Sequence, residues 1–120
     1  MNALEESYLA LVRFLLPESI LDYFELSKIV EGLTGLHIYL EEKNLSPSEY
    51  KDQKLESKGF LPEIYIQDFP IRNQKVTLCI KRRRWEVKET GEIATRDWNI
   101  VQQGTRMTKE FADFLKELYR

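Results

Sequence analysis

Apolar residues recur at Leu4, Tyr8, Leu11, Val12 and Leu15, the spacing of one face of an amphipathic helix over the first sixteen residues. Asn2, with Glu5 three positions on, reads as an N-cap with a reciprocal partner, and Pro17 ends or kinks the helix. Pro17-Glu18-Ser19-Ile20 opens a second short turn with proline at its first position. Near Phe24 the period changes from helical to two. Gly32 and Gly35 bracket a turn, after which Leu36, Ile38 and Leu40 alternate with His37, Tyr39 and Glu41, so residues 25–42 predict a β-hairpin.

Ser46-Pro47-Ser48-Glu49 supplies a cap, an N1 proline and an N3 glutamate for a short helical start, and the polar segment through Ser57 reads as a surface connection. Ile64-Tyr65-Ile66 is the heart of a strand, Pro70 to Gln74 a turn, and Val76, Leu78 and Ile80 run back with period two. A further turn at Glu89-Thr90-Gly91-Glu92 separates Trp85-Glu86-Val87 from Ile93 to Trp98, giving an antiparallel meander of about three strands. Trp85 and Trp98 face each other across this second hairpin and read as core. Thr108 caps a last helix with Phe111, Phe114, Leu115, Leu118 and Tyr119 on one stripe. The expected fold is α+β over residues 1–120 as one domain: an N-terminal helix, antiparallel hairpins or a meander, and a C-terminal helix packed on the sheet.

The meander contains a conflict of register. Val76, Leu78 and Ile80 share a face that strict alternation continues to Arg82 and Arg84, whereas Trp85 and Val87 lie on the other. Either the sheet is covered on both sides at its two ends, or a bulge between Lys81 and Arg84 switches the register and re-aims arginines.

Composition narrows the classes. At 120 residues, 42% hydrophobic and 32% charged, the chain is of globular type, with no repeats or low-complexity tracts. One cysteine, Cys79, excludes an intrachain disulfide, and no apolar run reaches the ~20 residues of a membrane span. Glu5 and Glu6 stand where a signal peptide would be basic, so a cytoplasmic protein without a membrane partner is expected. The net charge of −2 hides an asymmetry: residues 1–57 carry eleven acids and five bases, residues 58–120 nine and thirteen. A polyanionic partner would therefore meet the second half.

Most site chemistries fail on counting. His37 and Cys79 fall in different hairpins, so no Cys/His zinc site is expected; His37 reads as a strand residue on a partly exposed face and Cys79 as a small core or interface residue. Five dispersed glycines build neither a P-loop nor a dinucleotide fingerprint. Glu41-Glu42 reads as a solvated strand end, because neighbouring strand residues point to opposite faces and cannot flank one substrate bond. No catalysis, cofactor or metal is expected. Lys81-Arg82-Arg83-Arg84 is the segment that points to a job. Four consecutive cations in a strand need acids or phosphates to answer them. They either pair with Glu86, Glu89, Glu92 and Asp97 across the hairpin or contact nucleic-acid phosphates.

Several ordered motifs resemble the N-terminal region of bacterial insertion-sequence transposases, in a group where this region is a separate short reading frame upstream of the catalytic one. They are Gln67-Asp68-Phe69-Pro70-Ile71, Lys75-Val76, Lys81 to Trp85, Arg96-Asp97-Trp98 and Gly104-Thr105-Arg106-Met107-Thr108. Leu16-Pro17-Glu18, Leu21-Asp22-Tyr23-Phe24 and His37 to Glu42 extend the resemblance over nearly the whole chain. Wider relatives carry a zinc ribbon whose cysteines follow the basic run, then a helix-turn-helix and an acidic, metal-holding catalytic core. Here Glu86 and Val87 follow instead, so metal is not carried over, and packing around Trp85, Val87, Ile93 and Trp98 must hold the hairpin.

The resemblance implies a non-catalytic transposase module that helps bind element-end DNA. Lys81, Arg82, Arg83 and Arg84 would lie on the phosphate backbone, with Arg96 and Arg106 as auxiliaries. Its alternative is a protein-interaction or regulatory module that binds the separately encoded catalytic subunit or self-associates. Convergence of the arginines on one open face favours DNA; dispersal among acids favours the interaction reading.

Overall fold

The structure is a computed structural model that describes residues 1–50, 52–94, 96 and 106–119. Helix α1 (Ala3–Leu15) begins where expected: the Asn2 side chain accepts the Glu5 amide at 2.8 Å and donates back to the Glu5 carboxylate at 3.2 Å. After Pro17 a single turn, α2 (Ile20–Tyr23), delivers the chain to strand β1 (Phe24–Gly32). β1 and β2 (Gly35–Glu42) form the predicted hairpin, with a bulge between Leu26 and Lys28. A 3₁₀ turn follows at Ser48–Tyr50.

The supposed surface connection is in part a strand, β3 (Leu55–Phe60). β4 (Ile64–Ile71) and β5 (Gln74–Lys81) make the second hairpin, tighter than expected: the strand runs through Pro70, and Arg72 and Asn73 turn with positive φ. β6 (Arg83–Val87) and β7 (Ile93–Ala94) make the third, and Trp98 lies outside the described residues.

These strands form two sheets in place of one meander. The larger has the order β1-β2-β5-β4, with β2 and β5 parallel and the other pairs antiparallel; the smaller has the order β3-β6-β7. At the start of the parallel ladder a side chain on Gly35 would meet the Lys75 carbonyl oxygen at 2.2 Å, so only glycine lets the two backbones approach there. The α+β class holds, with helices at both chain ends around mixed sheets.

The main core lies on one face of the larger sheet. Ile38, Leu40, Ile66, Val76, Leu78 and Ile80 pack there with Leu16, Ile20 and Phe24. The second sheet has its own small core of Trp85, Val87 and Ala94, with Tyr50 and Leu55 beside it. Ile93, expected to share that packing, is about half exposed instead, because alternation in β7 turns Ala94 inward.

Helix α3 (Lys109–Leu118) opens at Thr108, whose hydroxyl accepts the Phe111 amide and donates to Asp68 at 2.8 Å. Phe69 of β4 contacts Phe111 and Phe114 with centroids 5.2 and 5.4 Å away, docking α3 at the sheet edge. In the rest of its stripe Leu115 is half-buried and Leu118 and Tyr119 are exposed. Among the described residues no helix is long and apolar enough to cross a membrane.

Candidate functional site

The register conflict is resolved at Arg82. The chain leaves the larger sheet after Lys81 and enters the smaller at Arg83, so the face that is core before the crossing need not be core after it. The bulge lies on the opposing strand, between Ser57 and Phe60 of β3. The four cations sit on this crossing and go separate ways. Lys81 Nζ is 3.9 Å from the Glu41 carboxylate, both partly exposed. Arg82 is half-buried, its carbonyl accepting the Leu61 amide at 2.8 Å, and its Nε is buried without a hydrogen-bond partner among the described residues.

Arg83 is used inside the fold. Its Nε donates to the Glu42 carbonyl at 3.0 Å, its Nη1 to the Ser57 hydroxyl at 2.8 Å, and its guanidinium lies 4.9 Å from the Phe60 ring centre. Arg84 is exposed, with Nη2 3.8 Å from the Glu86 carboxylate. Arg96 is buried: it donates to the Leu45 carbonyl, stacks 4.4 Å over Tyr23, and holds Nε 3.6 Å from Glu42. Arg106 is exposed beyond the β4 edge, where its carbonyl accepts the Gln67 amide at 2.8 Å.

Glu42 joins these contacts, and reading it as a solvated strand end is corrected here. It is 3% exposed. One carboxylate oxygen accepts the Arg83 amide at 3.2 Å; the other accepts the Trp85 indole N–H at 2.8 Å and faces Arg96. A carboxylate taken this far from water needs such donors and counter-charge. The signal was present in the sequence: Glu42 continues the inward face of Leu36, Ile38 and Leu40, so alternation buries it while Glu41 stays outward. Arg83 and Arg96 thus meet at Glu42, whereas Lys81 and Arg84 each face a separate surface acid.

No protein-family model, curated protein or solved structure matches this chain.

The second unusual surface is α1. None of its thirteen residues is buried. Its inner side is set by Leu9 and Val12, half-buried, leading to the buried Leu16. Leu4, Tyr8, Leu11 and Leu15 lie on another face and are all exposed, as is Phe14 at 87%. Only Val12 of the stripe expected to pack meets the core. A helix apolar on so much of its circumference normally has protein on both sides.

The larger sheet's other face holds polar and aromatic groups. Register sets Tyr39, Cys79 and Tyr65 in one row across β2, β5 and β4. The parallel ladder brings Cys79 and His37, expected to lie apart in separate hairpins, to 3.8 Å between Sγ and Nδ1. Burial pushes the Cys79 thiol up, with Glu63 adding to the effect, which favours the protonated and unreactive form. Among the described residues no group of three or more His, Cys, Asp or Glu is placed to hold a metal ion.

Proposed function

We propose that this chain is a non-catalytic protein-interaction module of the transposase type it resembles, docking on a partner protein through the outward apolar face of α1. The observation that carries this reading is the exposure of Leu4, Tyr8, Leu11, Phe14 and Leu15 on one helix. Together they leave on the order of 500 Å² of apolar surface open, within the ~300–600 Å² of the largest patch on a typical monomer, which is often functional. The candidate cations support the same reading, because the Arg83 and Arg96 side chains are engaged at Glu42 within the fold and Lys81 and Arg84 face acids.

The test is calorimetry of the full chain, by dilution for self-association and by titration with the separately encoded catalytic subunit of such an element. Leu11→Glu is expected to abolish binding and Arg84→Glu to leave it intact. Undiminished binding by Leu11→Glu overturns docking through α1.

Contact with the DNA of the element ends is the second reading, favoured by the exposed side chains of Arg84 and Arg106. Lys81 joins them at little cost, since its surface pair with Glu41 is worth at most ~1 kcal/mol. Three cations in place of six predict a log–log salt slope of about −3, where six phosphate contacts would give about −5. Arg84→Ala should lower the slope by about one, and binding absent at low salt overturns this reading.

A further inference from the structure

We infer that the partner on the outward face of α1 is a second copy of this chain, with the two α1 helices packed antiparallel. This rests on the docking reading above and names its occupant. The spacing of the exposed stripe is palindromic: Leu4, Tyr8, Leu11 and Leu15 are separated by four, three and four residues. Steps of three and four are those of a helix–helix seam. A reversed copy therefore meets the stripe with its own pattern, Leu4 level with the partner's Leu15 and Tyr8 level with the partner's Leu11. Each aromatic ring then faces an aliphatic side chain, and the contact closes on itself as a two-fold interface requires.

The helix dipoles and the long-range field of the terminal charges favour the antiparallel arrangement over the parallel one. Glu6 and Arg13 lie on the side of α1 away from the stripe and form no pairs across the seam. Glu5 and Glu6 lie in the first turn of α1 and Arg13 in the last. Parallel helices would bring four carboxylates to one end. Antiparallel helices set the acidic turn of each level with the basic turn of the other and oppose the two helix dipoles.

The open area points the same way. One α1 face offers on the order of 500 Å², below the ~800 Å² per partner of a standard interface, so two such faces give a dimer that forms and dissociates with concentration.

Sedimentation equilibrium of the full chain tests this. Between about 1 and 100 μM the mass should rise from one to two chains, and Leu11→Glu should stay at one chain while melting as wild type does. Orientation is read by oxidative cross-linking of single variants, with wild type controlling for the buried Cys79. Mixed Leu4→Cys and Leu15→Cys chains should cross-link to each other, and neither should cross-link alone. A wild-type chain that remains a monomer at about 100 μM overturns the inference, as does self-cross-linking of Leu4→Cys alone. If that monomer still binds the catalytic subunit in a manner abolished by Leu11→Glu, the second copy falls and the docking reading stands. If Leu11→Glu alters neither association, both fall.

Discussion

The basic crossing between the two sheets and the N-terminal helix treat solvent in opposite ways. At the crossing, charged residues are drawn inward: buried Glu42 faces buried Arg96 and accepts the Arg83 amide and the Trp85 indole N–H, while the half-buried Arg83 side chain donates to the Glu42 carbonyl. In α1, apolar residues are pushed outward, and Phe14 and Tyr8 stand free of the core. A run of cations is thus no sign of an open charged surface when a buried acid lies across the strand. Nor is an apolar helix face a sign of core. Each segment has the composition of the other's usual place, and the proposed docking on α1 rests on the second half of that inversion.

Breaking the charged interior should have the largest effect. Glu42→Ala leaves the Arg83 amide and the Trp85 indole without their acceptor and Arg96 without its counter-charge, and should cost about 3–5 kcal/mol in urea unfolding followed by tryptophan fluorescence. A loss below about 1 kcal/mol would mean that water reaches these groups. Next comes Thr108, which both caps α3 and donates to buried Asp68. Thr108→Ala should cost about 1–3 kcal/mol and lower the melting temperature.

Asp68 sharpens the contrast with Glu42: a hydroxyl and a backbone amide hold its carboxylate, whereas the Glu42 carboxylate also faces the Arg96 guanidinium. Burial pushes its carboxyl above 3.8, while the Thr108 hydrogen bond pulls the other way. A carboxyl whose folded pKa is raised favours the fold most when protonated, and that advantage is lost as pH climbs through the folded value. The stability of Asp68→Asn relative to wild type should therefore rise with pH from about 3.8 toward neutrality. A flat difference would show that the carboxylate is solvated.

The smallest effect belongs to the helix. Phe14→Ser should shift the stability of the dilute chain by no more than about 0.5 kcal/mol, because little packs on that side. A loss comparable to that of Thr108→Ala would place Phe14 in the monomer's core and end the contrast.

Much of this architecture is legible in the sequence wherever the signal is local. Asn2 and Thr108 cap the outer helices, Gly32 and Gly35 bracket the first turn, and period two marks β2, β4 and β5. β3 was hidden because Leu55-Glu56-Ser57-Lys58-Gly59-Phe60 contains no buried residue, and its partner β6 begins more than twenty residues later. Strand pairing between hairpins is not a local property, so the parallel join of β2 to β5 could not be read from either one. Neither could the side of α1 that meets the core. The conflict between Ile80 and Trp85 was visible, but a change of sheet resolves it where a bulge within one ladder would also have served. Glu42 was within reach, since the alternation used for Leu36, Ile38 and Leu40 needed only one further step.

The parallel ladder also governs the order in which the molecule assembles. Its partners, from Gly35 with Lys75 to Glu41 with Lys81, are separated by 40 residues throughout (75 − 35 and 81 − 41). The two hairpins of the larger sheet have local partners, whereas the join between them needs contacts across that length of chain and so is expected to follow the hairpins. On the ribosome the β1–β2 hairpin emerges before β5, and its β2 edge stays open until β5 has been made. Gly35 starts that ladder, so a side chain there should slow folding and lengthen the interval in which the nascent chain aggregates.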